Sequence, residues 1–244
     1  MAGRVLVFGA TGGVGSALAR RLVARGVEPF LVARGNTGGE QALATLAGEL
    51  GCGHLAADVM QAEGRKAAAA AAGDELAGLA FCVGSILLKP LARMTEADLV
   101  ETFRLNAAAP ALAVQAAAPA LARGKGSVVL FSSVAARMGF ANHVAIGAAK
   151  AAVEGVTVAL AAELAPHIRV NCIAPSLTRT ALAEPLTRSP QMADAIAKQH
   201  PIPRLGEGED SAALADFLLS EAAGWITGQV IGVDGGRGHI AGRG

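Results

Sequence analysis

The sequence predicts a doubly wound α/β domain, in which helices cover both faces of one parallel sheet of seven strands. Short, continuously apolar segments alternate with amphipathic or alanine-rich segments along the whole chain. Continuous apolar runs are typical of parallel strands buried on both faces, and the segments between them are long enough for crossover helices. No change of composition marks a linker, so we expect residues 1–244 to form a single domain.

Seven apolar segments are the predicted strands, and the stretches between them supply six predicted helices. The predicted strands are Val5–Phe8, Phe30–Ala33, Leu55–Ala57, Leu79–Val83, Val128–Phe131, Val170–Ala174 and Val230–Val233. The predicted helices cover 14–25, 39–50, 61–77, 96–122, 144–165 and 209–222. Apolar residues make up 52% of the chain but aromatic residues only 3%, so small aliphatic side chains must form the core.

One long irregular stretch covers residues 176–208 and contains four prolines, at positions 185, 190, 201 and 203. A loop of this length inside a compact domain is usually functional, and this one follows the carboxyl end of a predicted strand. We therefore interpret it as a substrate lid; the alternative is a mobile surface excursion. Its apolar side chains indicate an apolar substrate: Leu177, Leu182, Leu186 and Met192.

Charge and cysteine content argue against nucleic-acid and metal partners. The formal net charge is +1, without a basic block or an aromatic-interleaved stripe. Cys52, Cys82 and Cys172 lie far apart in apolar contexts, so they match neither zinc spacing nor a disulfide framework. We predict reduced thiols, no metal site and no nucleic-acid partner.

No segment reads as an export signal or a membrane span. The first apolar run leads directly into a glycine-rich turn, without a cleavage-type region. The apolar run from Ala107 to Ala122 is interrupted by Pro110, Gln115 and Pro119, and it is shorter than a span requires. We therefore expect a cytoplasmic protein without a membrane partner.

A glycine-rich turn, in the sequence RVLVFGATGGVGSALARRL, follows the first predicted strand. Gly9, Gly13 and Gly15 permit positive φ and a close approach of backbone N–H groups to a pyrophosphate, and the following helix N-terminus adds positive partial charge. This pattern predicts a Rossmann-type nicotinamide dinucleotide site, with Thr11 and Val14 as further contacts. The alternative is that the glycines serve only a tight turn.

The end of the second predicted strand bears on the choice of dinucleotide. It reads Leu31-Val32-Ala33-Arg34 and offers no acidic side chain for a ribose 2′-hydroxyl, whereas Arg34 suits a 2′-phosphate. NADP(H) is therefore favoured over NAD(H). The alternative is a solvated surface arginine with relaxed cofactor choice.

Beyond these features, motifs along essentially the whole chain resemble those of the short-chain dehydrogenase/reductase family. Phe8 stands where the family usually has threonine before the Gly9, Gly13 and Gly15 pattern. The other matching positions are Asp58-Val59 (the adenine-contacting pair), Gly84 (the last residue of the Asn-Asn-Ala-Gly motif, here Phe81-Cys82-Val83-Gly84), Asn106 (the helix asparagine), Ser133 (the catalytic serine), Lys150 (the lysine), Pro175-Ser176 (the Pro-Gly turn), Thr180 (the carboxamide threonine), and Ile226–Gln229 with Val233–Gly236 (the closing strand). The resemblance implies an oxidoreductase that forms a homodimer or homotetramer.

The family's catalytic tyrosine has no counterpart in this chain. It would stand four residues before Lys150, where the residue is Ile146, and the sequence contains no tyrosine. In the family, the tyrosine transfers the proton, the lysine lowers its pKa and holds the nicotinamide ribose, and the serine hydrogen-bonds the substrate oxygen. The asparagine positions a relay water. Losing general acid–base catalysis costs about 10²–10⁴ in rate, so another donor is expected.

His143 is the best substitute. Positions 143, 146 and 150 share one face of a helix, and a histidine side chain ordinarily titrates near neutral pH. The alternatives are a histidine that only hydrogen-bonds locally at the helix start, a substrate-binding histidine, and a water on Ser133 and Lys150 as the proton source. Non-catalytic roles are also open for three residues: a strand-end cap for Ser133, a buried polar bridge for Asn106 and ribose binding alone for Lys150.

The main functional hypothesis is an NADP(H)-dependent oxidoreductase that reduces a small, apolar carbonyl compound or oxidises an alcohol through an atypical proton donor. Ser85, Ser133, His143 and Ile146 are expected to line its cleft. One alternative is a cofactor-binding sensor or partner subunit that has lost catalysis. Another is the reduction of a carbon–carbon double bond.

Overall fold

The computed structural model describes residues 3–35 and 38–240. One parallel sheet of seven strands runs through the domain in the order β3-β2-β1-β4-β5-β6-β9, and a separate pair joins β7 to β8. The strands are β1 Arg4–Phe8, β2 Pro29–Ala33, β3 His54–Ala56, β4 Leu76–Phe81, β5 Ser127–Phe131, β6 Arg169–Pro175, β7 Thr178–Arg179, β8 Gly206–Glu207 and β9 Val230–Val233. The prediction of a single-domain, Rossmann-type α/β fold with seven parallel strands is confirmed.

Helices cover both faces of the sheet. They are α1 Gly13–Ala24, α2 Gly39–Leu50, α3 Ala62–Ala72, α4 Glu96–Phe103, α5 Ala109–Arg123, α6 Val144–Leu164, α7 Glu184–Thr187, α8 Pro190–Ala197 and α9 Gly208–Leu218. Successive strand residues face opposite sides, so Leu6 and Phe8 join one apolar core while Val5 and Val7 join the other. The first core contains residues of α3, α5 and α6, and the second contains residues of α1, α2 and α9.

Three predicted boundaries were wrong in the middle of the chain. The helix predicted over 61–77 ends at Ala72, because Gly73 adopts φ 114° and ends the alanine run. As a result β4 begins at Leu76 rather than Leu79, and it ends at Phe81 rather than Val83. The helix predicted over 96–122 is interrupted by one turn of π-helix, Arg104–Ala108, between α4 and α5.

The segment 176–208 contains more regular structure than the irregular stretch predicted from its prolines. It includes β7, a 3₁₀ turn at Ala181–Ala183, α7, α8, β8 and the first residue of α9. Pro190 stands at the start of α8, where its missing N–H costs nothing, and the Ser189 side chain caps that helix. We refer to residues 176–208 as the lid segment.

Two helical stretches have the length and mean hydropathy of membrane spans. They are Glu96–Arg123, at 1.3, and Val144–Leu164, at 1.6. Both pack against the sheet, and both contain buried polar side chains: Asn106 in the first, Lys150 and Thr157 in the second. Helices in the core of an α/β domain meet the same two criteria, so these stretches do not identify a membrane protein.

Candidate active site

Two positions of the glycine turn between β1 and α1 require glycine. Gly9 has φ 75°, and a Cβ there would lie 2.8 Å from the Cys82 carbonyl group. A Cβ on Gly15, in the first turn of α1, would collide with the Gly9 carbonyl oxygen. The helix therefore begins directly against the end of β1.

The N-terminus of α1 has the features of an anion site. Its N-cap residue, Gly12, provides no side-chain cap, and its first turn contains no acidic residue. The first N–H groups of a helix lack partners within the helix, and the helix dipole favours negative charge there. Thr11 and Gly12 are exposed beside this turn. These features fit the pyrophosphate of a dinucleotide.

The residues predicted to bind the adenosine half follow β2 and β3, which neighbour β1 in the sheet. Arg34 is exposed at the end of β2, and Asp58 is exposed beyond β3. The Asp58 Oδ1 atom accepts a hydrogen bond from the Met60 N–H at 2.9 Å, and Val59 is buried. All three therefore lie at the carboxyl edge of the sheet, on the far side of the glycine turn from the lid segment.

A cleft of about 430 Å³ opens at the carboxyl ends of the central strands, between the glycine turn and the lid segment. Ligands of doubly wound sheets bind at such an edge, where the strand order reverses. The cleft brings together these predicted site residues: Gly13, Val14, Gly84, Ser85, Ser133, His143, Ile146, Lys150, Pro175 and Thr180. Gly9, Thr11, Gly15, Arg34, Asp58, Val59 and Asn106 lie outside its lining.

Thr180 and Gly13 show how closely the lid segment approaches the glycine turn. A Cβ on Gly13 would lie 2.8 Å from Thr180 Cγ2. Pro175 ends β6 directly before the lid segment and also lines the cleft. The lid segment therefore begins over the turn in which a cofactor would lie.

Lys150 reaches the cleft from α6 and is buried, with 8% of its surface exposed. Its Nζ donates to the Phe131 carbonyl oxygen at 2.9 Å. Burial away from water lowers the pKa of Lys150 to about 8. A Cβ on Gly84 would lie 3.4 Å from this Nζ and 3.1 Å from Asn106 Oδ1, so Gly84 leaves the lysine room beside the asparagine.

Asn106 lies in the π-helical turn and is buried. Its Oδ1 accepts from the Ser85 N–H at 3.2 Å, and its Nδ2 donates to Ser85 Oγ at 2.9 Å and to the Thr102 carbonyl at 3.0 Å. Both amide protons are thus used within the protein. These contacts are those of a polar bridge between the helix and the loop after β4; the relay-water role remains a prediction.

Ser133 follows β5 and is half-buried in the cleft wall. Its Oγ accepts a hydrogen bond from the Ala135 N–H at 3.2 Å, which caps the 3₁₀ turn Val134–Ala136. The capping bond uses an oxygen lone pair and leaves the hydroxyl proton available to donate. Ser133 is therefore both a cap and a possible donor to a ligand oxygen.

His143 is the N-cap residue of α6, and its ring faces the cleft beside Ile146. Its Nδ1 lies 2.7 Å from the Ala141 carbonyl oxygen, which can only accept, so this ring nitrogen carries the proton. The Nε2 atom is then the ring nitrogen that is available to exchange a proton with a ligand. Ile146 is 4% exposed and fills the wall one turn further along the helix.

Two polar features of this region were not predicted from the sequence: the hydrogen bond between Ser176 and His200, and the position of Arg237. Ser176 Oγ lies 2.8 Å from His200 Nε2, and His200 Nδ1 lies 2.9 Å from the Ile196 carbonyl oxygen; both side chains are buried. This bond ties the end of α8 to the start of the lid segment. The signal in the sequence was Ser176, a serine at the position where the family usually has glycine. Arg237, after β9, also lines the cleft.

The cysteines and the acidic residues offer no second kind of chemistry in the described part of the chain. Cys52, Cys82 and Cys172 are free thiols there. Burial raises the pKa of Cys82 and of Cys172 to about 12, so both are neutral near pH 7. Within residues 3–35 and 38–240, no group of three or more His, Cys, Asp or Glu side chains is arranged to hold a metal ion.

Comparison with known proteins gives a consistent set of relatives. A family model described as enoyl-(acyl carrier protein) reductase matches residues 9–237. Dehydrogenase/reductase SDR family member 4 of Homo sapiens is 37% identical over 238 residues, which cover 95% of this chain and 86% of that protein. Dehydrogenase/reductase SDR family member 2, mitochondrial, also of Homo sapiens, is 34% identical over 245 residues, with 96% and 86% covered.

Solved structures agree with these relatives over nearly the whole chain. A short-chain type dehydrogenase/reductase from Mycobacterium ulcerans is similar with a TM-score of 0.90 at 33% identity, covering 98% of this chain and 90% of that one. A Brucella melitensis protein titled short-chain dehydrogenase/reductase SDR:glucose/ribitol dehydrogenase gives 0.89 at 30% identity, covering 98% and 97%.

Proposed function

The chain belongs to the short-chain dehydrogenase/reductase family, and we propose that it is an NADP(H)-dependent oxidoreductase that interconverts a small, apolar carbonyl compound and its alcohol. One observation carries the proposal: the glycine turn, Ser133, His143 and Lys150 all border the same cleft. When bound, the nicotinamide supplies or accepts the hydride. The protein must then hold the cofactor, orient the carbonyl group and manage one proton.

Each part of the cofactor has residues suited to hold it. Backbone N–H groups at Gly13 and Val14 would bind the pyrophosphate, and the Lys150 ammonium would bind the nicotinamide ribose. The remaining contacts are Arg34 for a 2′-phosphate, Asp58 and Val59 for the adenine, and Thr180 for the carboxamide. Arg34 carries the NADP(H) preference, since no acidic side chain follows β2 at positions 34 and 35.

The proton is the unusual part of the proposal, because Ile146 stands where the family has its catalytic tyrosine. We assign the proton to His143, whose Nδ1–H is held by the Ala141 carbonyl, so that Nε2 is the nitrogen left to face a substrate. In reduction, the protonated ring gives its Nε2 proton to the carbonyl oxygen as the hydride reaches the carbon. In oxidation, the neutral ring accepts the proton of the alcohol. Ser133 donates a hydrogen bond to the same substrate oxygen and orients it.

A second candidate reaction is the reduction of a carbon–carbon double bond next to a carbonyl group. The description of the matching family model, enoyl-(acyl carrier protein) reductase, favours it. The cleft contacts of the cofactor would be the same, but the proton would go to carbon. Enones therefore belong among the substrates tested, and the position of reduction in the product distinguishes the two reactions.

A screen of NADPH oxidation over ketones, quinones and enones tests the proposal, run beside a measurement of NADPH affinity. We expect turnover on at least one apolar carbonyl compound. Tight NADPH binding without turnover on any of them would favour the alternative of a cofactor sensor or partner subunit, in which Ile146 reflects lost catalysis.

Replacing Arg34 with alanine should weaken NADPH binding by about 10–150-fold and leave NADH binding nearly unchanged, because a charge-assisted bond to the 2′-phosphate contributes about 1.5–3 kcal/mol. Fluorescence titration of both cofactors measures this ratio. Arg20→Ala, which removes an exposed arginine of α1 paired with Glu49, is the matched control. Equal losses for NADPH and NADH in Arg34→Ala would contradict the assignment.

Assembly as a homodimer or homotetramer is part of the same proposal. Its support is a set of exposed apolar side chains on the α4–α6 helices and before β9: Leu99, Val100, Phe103, Leu112, Val158 and Trp225. Light scattering of the purified protein would show a monomer if this part is wrong.

A further inference from the structure

Arg237 places a cation beside the proposed proton donor. Its guanidinium carbon lies 5.0 Å from the centroid of the Phe140 ring, in a cation–π arrangement. The same ring packs against His143, with the two ring centroids 5.2 Å apart. The guanidinium and the imidazole therefore contact one aromatic ring, and both line the cleft.

This guanidinium has no acidic partner in the described part of the chain. Its Nη2 donates to the neutral amide oxygen of Gln199, and no ion pair within residues 3–35 and 38–240 involves it. The nearby Asp234 carboxylate instead accepts from the Gly236 and Gly238 N–H groups, at 2.9 and 2.8 Å. Partial burial lowers the pKa of Arg237, and no carboxylate within residues 3–35 and 38–240 pairs with its charge.

The Arg237 guanidinium faces a cleft whose wall is otherwise mostly apolar. Most of the surrounding side chains are aliphatic: Ile86, Leu88, Leu177, Leu182, Leu186 and Ile196. In an apolar site with little water, an ion pair is stronger than in solution. A guanidinium also offers two parallel N–H groups, which match the two oxygens of a carboxylate.

We propose that Arg237 binds a carboxylate of the substrate, so that the substrates are apolar carbonyl compounds carrying a carboxylate a few carbon atoms from the carbonyl group. The carbonyl oxygen lies at Ser133 and His143, the carboxylate at Arg237, and the carbon chain between them follows the Phe140 ring. The proposal deepens the proposed function and rests on it for the reaction, but the carboxylate-binding step can be measured without turnover.

Binding is tested by calorimetry with hexanoate and with hexanamide, a neutral compound of nearly the same size, added to the protein saturated with NADP⁺. Wild-type protein should prefer the carboxylate. Arg237→Met keeps an apolar stem but no charge, and it should reduce this preference by about 10–150-fold, the value of a charge-assisted hydrogen bond. Arg237→Lys keeps the charge but not the two parallel N–H groups, so its preference for hexanoate should lie between those of wild type and Arg237→Met. Arg93→Met, at an exposed arginine outside the cleft, should behave like wild type.

Turnover separates this inference from the proposed function. With 5-oxohexanoate and 5-oxohexanamide as substrates, Arg237→Met should raise KM for the acid by a much larger factor than KM for the amide. No preference for the carboxylate in wild-type protein, or equal losses for acid and amide in Arg237→Met, overturns the carboxylate site even if ketones are reduced. Arg237-dependent binding of hexanoate without reduction of any carbonyl compound supports the site and overturns the proposed function.

Discussion

Replacing His143 with alanine should lower the turnover number for ketone reduction by about 10²–10⁴-fold, the usual contribution of general acid–base catalysis. The affinity for NADPH should not change, because no cofactor contact is assigned to His143, which stands at the start of α6. The loss of turnover is expected because the His143 ring is oriented for proton transfer. Its Nδ1 is held by the Ala141 carbonyl oxygen at 2.7 Å, and only Nε2 can pass a proton to a ligand. Steady-state kinetics with saturating NADPH measures the effect.

Two further variants make the result specific. His167→Ala removes an exposed histidine beyond the end of α6 and should leave turnover unchanged. Adding Ile146→Tyr to His143→Ala should restore part of the lost activity, because a phenol would then stand between Ser133 and Lys150. The recovery should be incomplete, since tyrosine is larger than the buried isoleucine it replaces. Full turnover in His143→Ala would remove histidine from the mechanism and leave water on Ser133 and Lys150 as the proton source.

Replacing Lys150 with methionine should weaken cofactor binding and yet make the cofactor-free protein more stable at pH 7. The ammonium group would bind the nicotinamide ribose, so its loss should reduce NADPH affinity by about 10-fold or more. Burying the charge lowers the pKa of Lys150 from 10.5 to about 8. That shift corresponds to a destabilisation of up to about 3 kcal/mol at pH 7, from which the lost bond to Phe131 subtracts about 1 kcal/mol.

The pH dependence follows from the direction of this shift. Between pH 8 and 10.5 the unfolded chain keeps the lysine proton while the folded protein has lost it. Wild-type stability therefore gains from this group as the pH rises through that window, and the advantage of Lys150→Met shrinks there. Urea unfolding at pH 7 and at pH 10 measures both values. A Lys150→Met variant less stable than wild type at pH 7 would contradict the cost assigned to the buried charge. A variant with unchanged NADPH affinity would contradict the assignment of Lys150 to the nicotinamide ribose.

Much of the fold could be predicted because its signals are local. Continuous apolar runs marked all seven strands of the main sheet, and Gly9, Gly13 and Gly15 marked the turn between β1 and α1, where Gly9 and Gly15 leave no room for a Cβ beside the neighbouring backbone. The boundary between α3 and β4 was predicted wrongly because an alanine run continues a helical pattern up to Gly73, whose φ of 114° ends it. The π-helical turn at Asn106 left no signal in the apolar pattern, and its bridge to Ser85 joins two separate segments of the chain.

Site residues beyond the family motifs depend on contacts between distant segments. The bond between Ser176 and His200 forms only because the lid segment folds into α7 and α8 and returns to its own start. Arg237 enters the cleft because the turn after β9 brings it over Phe140, which is almost a hundred positions earlier in the sequence. No spacing rule relates such pairs, so their chemistry became visible only in three dimensions.

The central claim is that this chain transfers a hydride although it contains no tyrosine. The most direct measurement is mass spectrometry of the product formed by wild-type protein from NADPH deuterated at C4 of the nicotinamide ring and an apolar ketone with a carboxylate, such as 5-oxohexanoate. We expect one deuterium on the carbinol carbon of the product alcohol, for cofactor labelled on the transferred face. Bound NADPH with no labelled alcohol, from cofactor labelled on either face and with every ketone tested, would contradict the claim.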